Sequence, residues 1–509
     1  IGDVDGDGIP ELIYTAWDRY IRVMRNYTPG ANPPMEDWLK SDKQTRTGGF
    51  RPVLADMNGD GTPEIVAGDE VFIVDLTHPA GPLLRKVLDA NSYYGSDPSA
   101  YTPRLNCVAT ADILTPADCG GDPDCEGLEI AAGPVIYSVD IDTTDGDGFE
   151  IKIQRNLNMQ TQPDQYSDGY TAVADMNLDG IPDVVVSGVL NPGGANAKMG
   201  VYVWDKNGLI KFMLRPGVPD NTNFNYQYNG FPNIANVFDD RKRGLAKDYP
   251  EVISSGLGNL VCQNLHGTSF TDYSAWWYIS KANYQDYYVW GNSSSTFDFN
   301  GDGYAEVVYS DDKDLRILYG GHLPFPPGVD ANRNWATSPG RISGRDTYPV
   351  VVDVDNDGQT EIVAVLRDSL ILGMDTSGLW LAVFKSSGLP WPPSRTVWNQ
   401  HNYNVVNVND DLTIPAQPQK NWLELPAAGS GNRPLNMHLG QLPLLGPNQL
   451  PVLPLPDLQA NVDSVACNQN QLALKIQVCN FGDAKLPTGG FVQFYLGNPV
   501  TTAAAKYGA

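Results

Sequence analysis

The chain has 509 residues, with 60 acidic against 34 basic side chains and a formal charge of −26 at pH 7. That balance excludes nucleic acid as a partner, because phosphate contacts need basic patches. No run of about eighteen apolar residues occurs, so no helix inserts into a membrane, and 51 glycines with 39 prolines suit short strands joined by tight turns.

Read in chain order, the sequence opens on DVDGDGIPE at residues 3–11. The pattern returns as DMNGDGTPE at 56–64, DMNLDGIPD at 175–183, DFNGDGYAE at 298–306 and DVDNDGQTE at 353–361. The gaps on either side of Asp175 are about twice the others, so each is expected to hide a degenerate copy. One runs from Asp112 to Glu129 and contains Asp118, Asp122 and Asp124. The other runs from Asp239 to Glu251 and is interrupted by RKRG. Seven units result, at a period of 53–64 residues.

Each unit has one grammar. A short apolar run leads in (RPVLAD, TAVAD, YPVVVD), the acidic loop follows, and further runs rich in Val, Ile and Tyr leave it (PEIVAGD, EVFIVDL, GVYVWDK). Runs of this length and composition between Gly, Asp and Asn are strands. The period holds four of them and no crossover helix, which argues against an α/β barrel. A closed ring of sheets is favoured over a linear solenoid because no terminal unit looks like a polar cap. The first unit lacks its lead-in strand. Either SRTVWNQHNYNVVNV at 394–408 supplies it or the N-terminus is trimmed.

The D-x-[DN]-x-D-G-x-x-[DE] loop between two strands, at this period, resembles the FG-GAP/VCBS repeat family. That family includes the calcium-binding blades of integrin α-subunit propellers and many bacterial surface and secreted proteins. The resemblance covers roughly residues 1–410. It implies an all-β fold with a seven-bladed β-propeller over 1–414, in which each loop links the innermost strand of a blade to the next. The AGP at 132–134 is what remains of the element that names the repeat.

The loops are suited to a hard cation. Asp3, Asp5 and Asp7 place three carboxylates on one concave side, Gly8 permits the bend, the carbonyl of Ile9 adds an oxygen and Glu11 closes the site. Calcium takes six to eight oxygens at about 2.3–2.6 Å in a forgiving geometry, whereas magnesium demands a tighter octahedron and zinc prefers His or Cys. The same reasoning assigns Asp56, Asn58, Asp60, Thr62 and Glu64; Asp175, Asn177, Asp179, Ile181 and Asp183; Asp298, Asn300, Asp302, Tyr304 and Glu306; and Asp353, Asp355, Asp357, Gln359 and Glu361. About five structural Ca2+ ions are expected. Single Asp-Gly loops are ordinary turns; five copies in register favour the ion. In the 239–251 loop a salt bridge from Asp239 to Arg241 or Lys242 is expected to replace it. TTDGDGFE at 143–150 falls out of register and reads as a surface turn.

Six cysteines are present. Cys119 with Cys125, and Cys467 with Cys479, read as local disulfides and imply oxidising surroundings. Cys107 and Cys262 are left without an assigned pair. The five histidines share no ligand-like spacing, and no nucleophile elbow, zinc-protease or nucleotide-binding motif occurs. Residues 273–294 are dense in Tyr and Trp. Trp276, Trp277, Tyr287, Tyr288 and Trp290 are there either to bind a ligand or to pack between blades.

WPPSRTVWNQHNYNVVNVNDDLTIP at 391–415 resembles a segment of large secreted Bacteroidota proteins that carry these repeats. Residues 415–456 are a Pro-rich extended strap whose leucines suit packing against the ring. Residues 457–509 alternate like a β-sandwich and resemble the start of a CARDB-type immunoglobulin-like domain, about half its usual size. These readings lead to a calcium-stabilised extracellular or cell-surface module, part of a longer polypeptide, serving adhesion or assembly. A secreted lectin or a calcium-dependent polysaccharide lyase is the alternative. Its expected partners are the other domains of that polypeptide and a surface protein or glycan, with homo-oligomeric assembly left open.

Overall fold

A computed structural model describes residues 1–31, 34–46, 51–90, 107–141, 149–159, 164–191, 197–214, 230–243, 245–256, 259–266, 276–280, 293–310, 314–320, 334–339, 341–342, 348–367, 379–387, 389–423, 435–444, 458–468, 471–480, 494–496 and 505–507. Among these the fold is all-β, with helix confined to short 3-10 turns such as Pro116–Cys119 and Asp240–Arg243.

Up to residue 384 the strands form seven small antiparallel sheets, taken up in chain order. The first sheet holds Leu12–Thr15, Ile21–Arg25 and Glu36–Lys40. The second holds Val53–Ala55, Glu64–Ala67, Glu70–Asp75 and Leu83–Asp89. The third holds Ala109–Ala111, Glu129–Ala132, Val135–Asp140 and Glu150–Asn156. In the fourth are Tyr170–Ala174, Asp183–Leu190, Lys198–Asp205 and Gly208–Leu214. In the fifth are Asn233–Ala235, Glu251–Gly256, Asn259–Gln263 and Trp276–Ser280. The sixth comprises Ser294–Phe297, Glu306–Ser310, Asp314–Leu318 and Asn334–Pro339. The seventh comprises Val350–Val352, Glu361–Arg367 and Leu379–Phe384, with Arg341–Ile342 paired to the far end of its second strand.

The second and third strands are nearly continuous apolar runs, and the packing explains why. Side chains alternate across a strand, and each inner sheet has a neighbour on both faces. Val184 and Val186 therefore join Ile136 and Trp204 between the third and fourth sheets, while Val185 joins Ile234 and Val252 between the fourth and fifth. Ile253 and Val307 fill the next interface, and Val308, Val351 and Ile362 the one after. First strands are short and rich in small residues, with Ala55, Ala109, Ala111, Ala172, Ala174 and Ala235 all buried. Small side chains let the first strands of successive sheets lie side by side, as Val53–Ala55 does with Ala109–Ala111 and Ser294–Phe297 with Val350–Val352.

Residues 391–423 and 435–444 reach the first strand or the acidic loop of every sheet, or the residue beside it. Leu412 O accepts from Asp3 N at 3.2 Å, Gln400 Oε1 from Leu54 N at 2.8 Å, and Asn402 Nδ2 donates to Val108 O. Asn436 Oδ1 accepts from Asp175 N at 2.7 Å. His438 exchanges both backbone bonds with Ile234, Leu439 O accepts from Thr296 N, and Arg395 O accepts from Asp353 N. Tyr403 and Leu439 at the centre of this segment are fully buried. The lead-in of the first sheet is made by the chain's own opening residues. Gly2 pairs with Glu11, and the Ile1 ammonium donates to Asn399 O at 2.7 Å, so the 394–408 stretch flanks that strand without replacing it. A side chain on Gly2 would meet Leu54 Cδ1 of the second sheet at 2.7 Å and Ile414 Cδ1 at 3.2 Å, so this tight position carries a glycine.

Beyond the strap, Leu458–Asn468 pairs with Gln471–Asn480 and Phe494–Leu496 with Ala505–Tyr507. The expected disulfide between Cys467 and Cys479 is not formed, and Cys479 is a free thiol. Cys467 lies opposite Leu472 near the hairpin turn, whereas Cys479 lies opposite Gln459 at its open end. At about 3.3 Å per residue that separates them by roughly 25 Å, against the ~7 Å a disulfide tolerates. The Cys119–Cys125 disulfide is present. Cys107 and Cys262 are buried in separate apolar clusters.

Candidate metal loops

Six of the acidic loops connect a first strand to a second strand at one register, and the first loop keeps that register through the isolated Gly2–Glu11 bridge ahead of Leu12–Thr15. The residue before each loop lies opposite the acid that closes it: Gly2 opposite Glu11, Ala55 opposite Glu64, Ala111 opposite Glu129 and Ala174 opposite Asp183. Ala235 likewise faces Glu251, Phe297 faces Glu306 and Val352 faces Glu361. This register corrects the fifth unit. Its leading position is Asn236, next to Ala235, and Asp239 belongs to the inserted turn.

Within the five close copies the backbone wraps the leading aspartate. Asp56 Oδ1 accepts from Gly59 N at 2.7 Å and Oδ2 from Gly61 N at 2.7 Å. Asp3, Asp175, Asp298 and Asp353 accept from Gly8, Gly180, Gly303 and Gly358 in the same way. The third side chain of each loop's ligand set, at Asp7, Asp60, Asp179, Asp302 and Asp357, accepts from the amide two residues on, which belongs to Ile9, Thr62, Ile181, Tyr304 and Gln359. The middle side chains Asp5, Asn58, Asn177 and Asn300 also accept from the amide two residues ahead. Gly61 has φ +90° and its counterparts similar values, a left-handed bend that other residues adopt only with strain. Asp3, Asp5 and Glu11 each bring a ligand atom within 4.8 Å of the others, as do Asp353, Asp355 and Asp357.

The closing acids are buried, and one oxygen of each accepts from the backbone: Glu64 from Met57 N at 2.8 Å, Asp183 from Met176 N at 2.7 Å, Glu129 from both Ile113 N and Leu114 N, and Glu251 from both Val237 N and Phe238 N. Glu129 Oε1, Asp183 Oδ1 and Glu361 Oε1 have no hydrogen-bond donor although all three are buried, while Glu306 Oε1 accepts from Asn300 Nδ2 at 3.0 Å. Burial first, and then the charges of the loop aspartates, push Glu11 up to about 7, Glu64 and Asp183 to about 8 and Glu306 to about 9. A buried carboxylate with an unsatisfied oxygen beside further carboxylates is costly by itself. A divalent ion removes that cost, and an all-oxygen donor set on a flexible loop suits calcium.

The loops differ in how their charge is met. Among the described residues no Lys or Arg forms an ion pair with the first, second, fourth or sixth loop. In the third loop the aspartates are drawn apart by separate lysines. Lys420 pairs with Asp112 at 2.8 Å, Lys206 with Asp118 at 2.7 Å, and Lys152 with Asp122 and Asp124 at 3.3 and 2.9 Å. In the fifth, Arg241 stands 3.8 Å from Asp239 and 3.3 Å from Asp248, while Asn264 donates to Asp240 at 2.7 Å. In the seventh, Lys385 reaches Asp355 at 2.8 Å and Asp357 at 2.9 Å. Sequence reading missed Lys385. Its one signal is position, since it ends the third run of its unit directly across from Glu361.

Of the aromatic candidates, Trp276 and Trp277 lie on the fourth strand of the fifth sheet, opposite Gln263 and Cys262. Tyr287, Tyr288 and Trp290 lie outside the described residues, as does most of 143–150.

Seven like sheets, each carrying an acidic loop at one register, define a β-repeat protein. Residues 3–67 and 298–364 match the FG-GAP-like repeat model, and the chain carries repeats of that family. Comparison with curated proteins gives no match. Among solved structures the chain is similar to the V. cholerae biofilm matrix protein Bap1, with a TM-score of 0.51, 15% identity, and coverage of 89% of this chain and 85% of that one. Fainter likenesses at a TM-score of 0.27 link it to the rhamnogalacturonan lyase YesW, at 11% identity over 71% of this chain and 57% of that one. The Bacillus licheniformis rhamnogalacturonan lyase PL11 stands at the same TM-score, 13% identity, and 71% and 56% coverage. No helix among the described residues is long and apolar enough to cross a membrane.

Proposed function

We propose that the chain is a calcium-stabilised module of an extracellular or cell-surface protein, whose seven sheets are the blades of a closed propeller and whose outer surfaces attach to a matrix component, a surface protein or a glycan. The observation that carries the calcium reading is the set of buried closing carboxylates beside the loop aspartates, with Asp183 Oδ1 left without a donor. The visits of residues 391–444 to all seven sheets support closure around one axis. The Cys119–Cys125 disulfide suits an oxidising compartment, and the fold likeness to a matrix protein suits an adhesive or assembling role.

Calcium would be held by Asp3, Asp5, Asp7 and Glu11 and by the corresponding residues of the second, fourth and sixth loops. It would neutralise their charge and tie two strands of each sheet together. Scanning calorimetry tests this. Calcium is expected to raise Tm by several degrees over chelator-treated protein, and magnesium at equal concentration is expected not to. A scan indifferent to chelator would refute the reading. For the partner, Trp276, Trp277 and Tyr288 changed together to Ser should weaken attachment to a glycan or protein surface without moving the calcium-dependent transition. Loss of folding would assign these aromatics to packing.

A further inference from the structure

The calcium reading assumes that the acidic loops await an ion, yet the seventh loop already holds a cation of its own. Lys385 Nζ lies 2.8 Å from Asp355 Oδ2, 2.9 Å from Asp357 Oδ2 and 3.2 Å from Glu361 Oε1, although the last contact is not aligned as a hydrogen bond. These are three of the four side chains that would ligate calcium there. We infer that Lys385 is a tethered occupant of the seventh loop, an ammonium that calcium must displace, so that this site fills only at calcium levels well above those that fill the first, second, fourth and sixth loops. This rests on the calcium reading of the loops.

The register explains how a residue 24 positions beyond Glu361 reaches the site. Ile362 lies opposite Phe384, so the next pair in the antiparallel ladder is Glu361 with Lys385. Directly opposite residues project from the same face at about 5 Å. The fifth sheet provides an independent instance of the same reach. There Val252 lies opposite Gln263, so Asn264 faces Glu251, and Asn264 Nδ2 donates to Glu251 Oε1 at 3.3 Å. In these two sheets the third-strand residue facing the closing acid therefore stands beside that acid's second oxygen, whereas in the third sheet the position is Ser138, which accepts from Gln154 Nε2 and leaves Glu129 Oε1 without a donor.

Elsewhere this position carries no ammonium. It is Ile73 in the second sheet, Ser138 in the third, Asp205 in the fourth and Tyr319 in the sixth, none of them cationic. In the first sheet it is Arg25, the one other cation at this position, but its guanidinium lies 4.5 Å over the Trp38 ring and forms no ion pair with the loop. Only in the seventh is a flexible ammonium turned inward onto a complete ligand set. A single-charged group with three donors satisfies those oxygens less fully than a divalent ion, yet it costs no translational entropy to hold. It is a competitor whose local concentration is fixed.

Calcium titration of Lys385→Met by isothermal calorimetry, with the wild-type chain alongside, tests this. The wild type should show a weak final binding event that tightens at least tenfold in Lys385→Met, with the earlier events unchanged. In chelator the variant should melt below wild type, because three carboxylates lose their counter-charge, and in saturating calcium the difference should vanish or reverse. Lys385→Gln, which keeps hydrogen bonding without charge, gives the same reading should the methionine variant fold poorly. Superimposable isotherms for wild type and both variants, with the other sites binding calcium, would overturn the role of Lys385 alone. Absence of calcium binding in every chain would overturn it together with the calcium reading.

Discussion

Glu64 shows what one buried carboxylate does to the pH response of the chain. Without calcium its folded pKa stands near 8, raised from 4.5 by burial. Between those values the folded protein keeps a proton that the unfolded chain has released. Its contribution to calcium-free stability is therefore complete below about pH 4.5 and is lost as pH rises toward 8, at up to ~1.4 kcal/mol per pH unit for each such group. Glu306 and Asp183 act in the same direction. Calcium uptake at pH 7 is then expected to expel protons, so that binding heats measured in buffers of different ionisation enthalpy should diverge. Buffer-independent heats would count against it. Gly61 makes a second, purely conformational case. A Cβ there meets nothing within 4 Å, yet φ is +90°. Gly61→Ala is expected to cost about 1–2 kcal/mol through the backbone alone, read as a lower denaturation midpoint with calcium present.

At the scale of loops and strands, the third acidic loop is stapled by a disulfide and paired to three lysines. Replacing Cys119 and Cys125 together by Ser should lower stability by no more than about 2 kcal/mol, the cost of opening so short a covalent loop, and should leave calcium stoichiometry unchanged. A lost binding event in that variant would show that the third loop holds an ion after all. This loop also marks how far the sequence is legible. Five loops can be read directly because their carboxylates fall at fixed spacing next to apolar runs. The fifth unit misleads, since its leading residue is Asn236 and the nearest aspartates, Asp239 and Asp240, sit in an insertion. Only the pairing of Ala235 with Glu251 reveals the true register. Cys467 and Cys479 mislead for a related reason: closeness in sequence says nothing about which ends of a hairpin two residues occupy. Lys385 is invisible to any motif, because what gives it a role is a neighbour across the sheet.

Over the whole molecule, the period of the sequence gives the number and order of the sheets, while residues 391–444 tie them to one another. The composition of 415–456 reads as a strap; the reach of residues 391–423 and 435–444 to all seven sheets does not follow from composition, because each contact is a separate long-range bond. Tyr403 sits in the first of these stretches, fully buried, stacked on Trp398 at 4.3 Å and bonded through its hydroxyl to Gln441 Oε1 at 3.0 Å. Tyr403→Ala is expected to cost about 3–5 kcal/mol, and by loosening the strap it should lower the melting of all sheets together. Separate transitions for early and late sheets in the variant would show that the strap holds them less tightly than its contacts suggest. The route of the strap also sets a timetable. A ribosome releases the sheets one after another, and Asp3 meets Leu412 only after some four hundred intervening residues have emerged. Until then the inner strands lack their last partner and the nascent chain carries open sheet edges, the condition that makes folding slow and self-association easy. A chain cut short before residue 436 would keep every acidic loop and never receive the bonds that Asn436, His438 and Leu439 make to the fourth, fifth and sixth sheets.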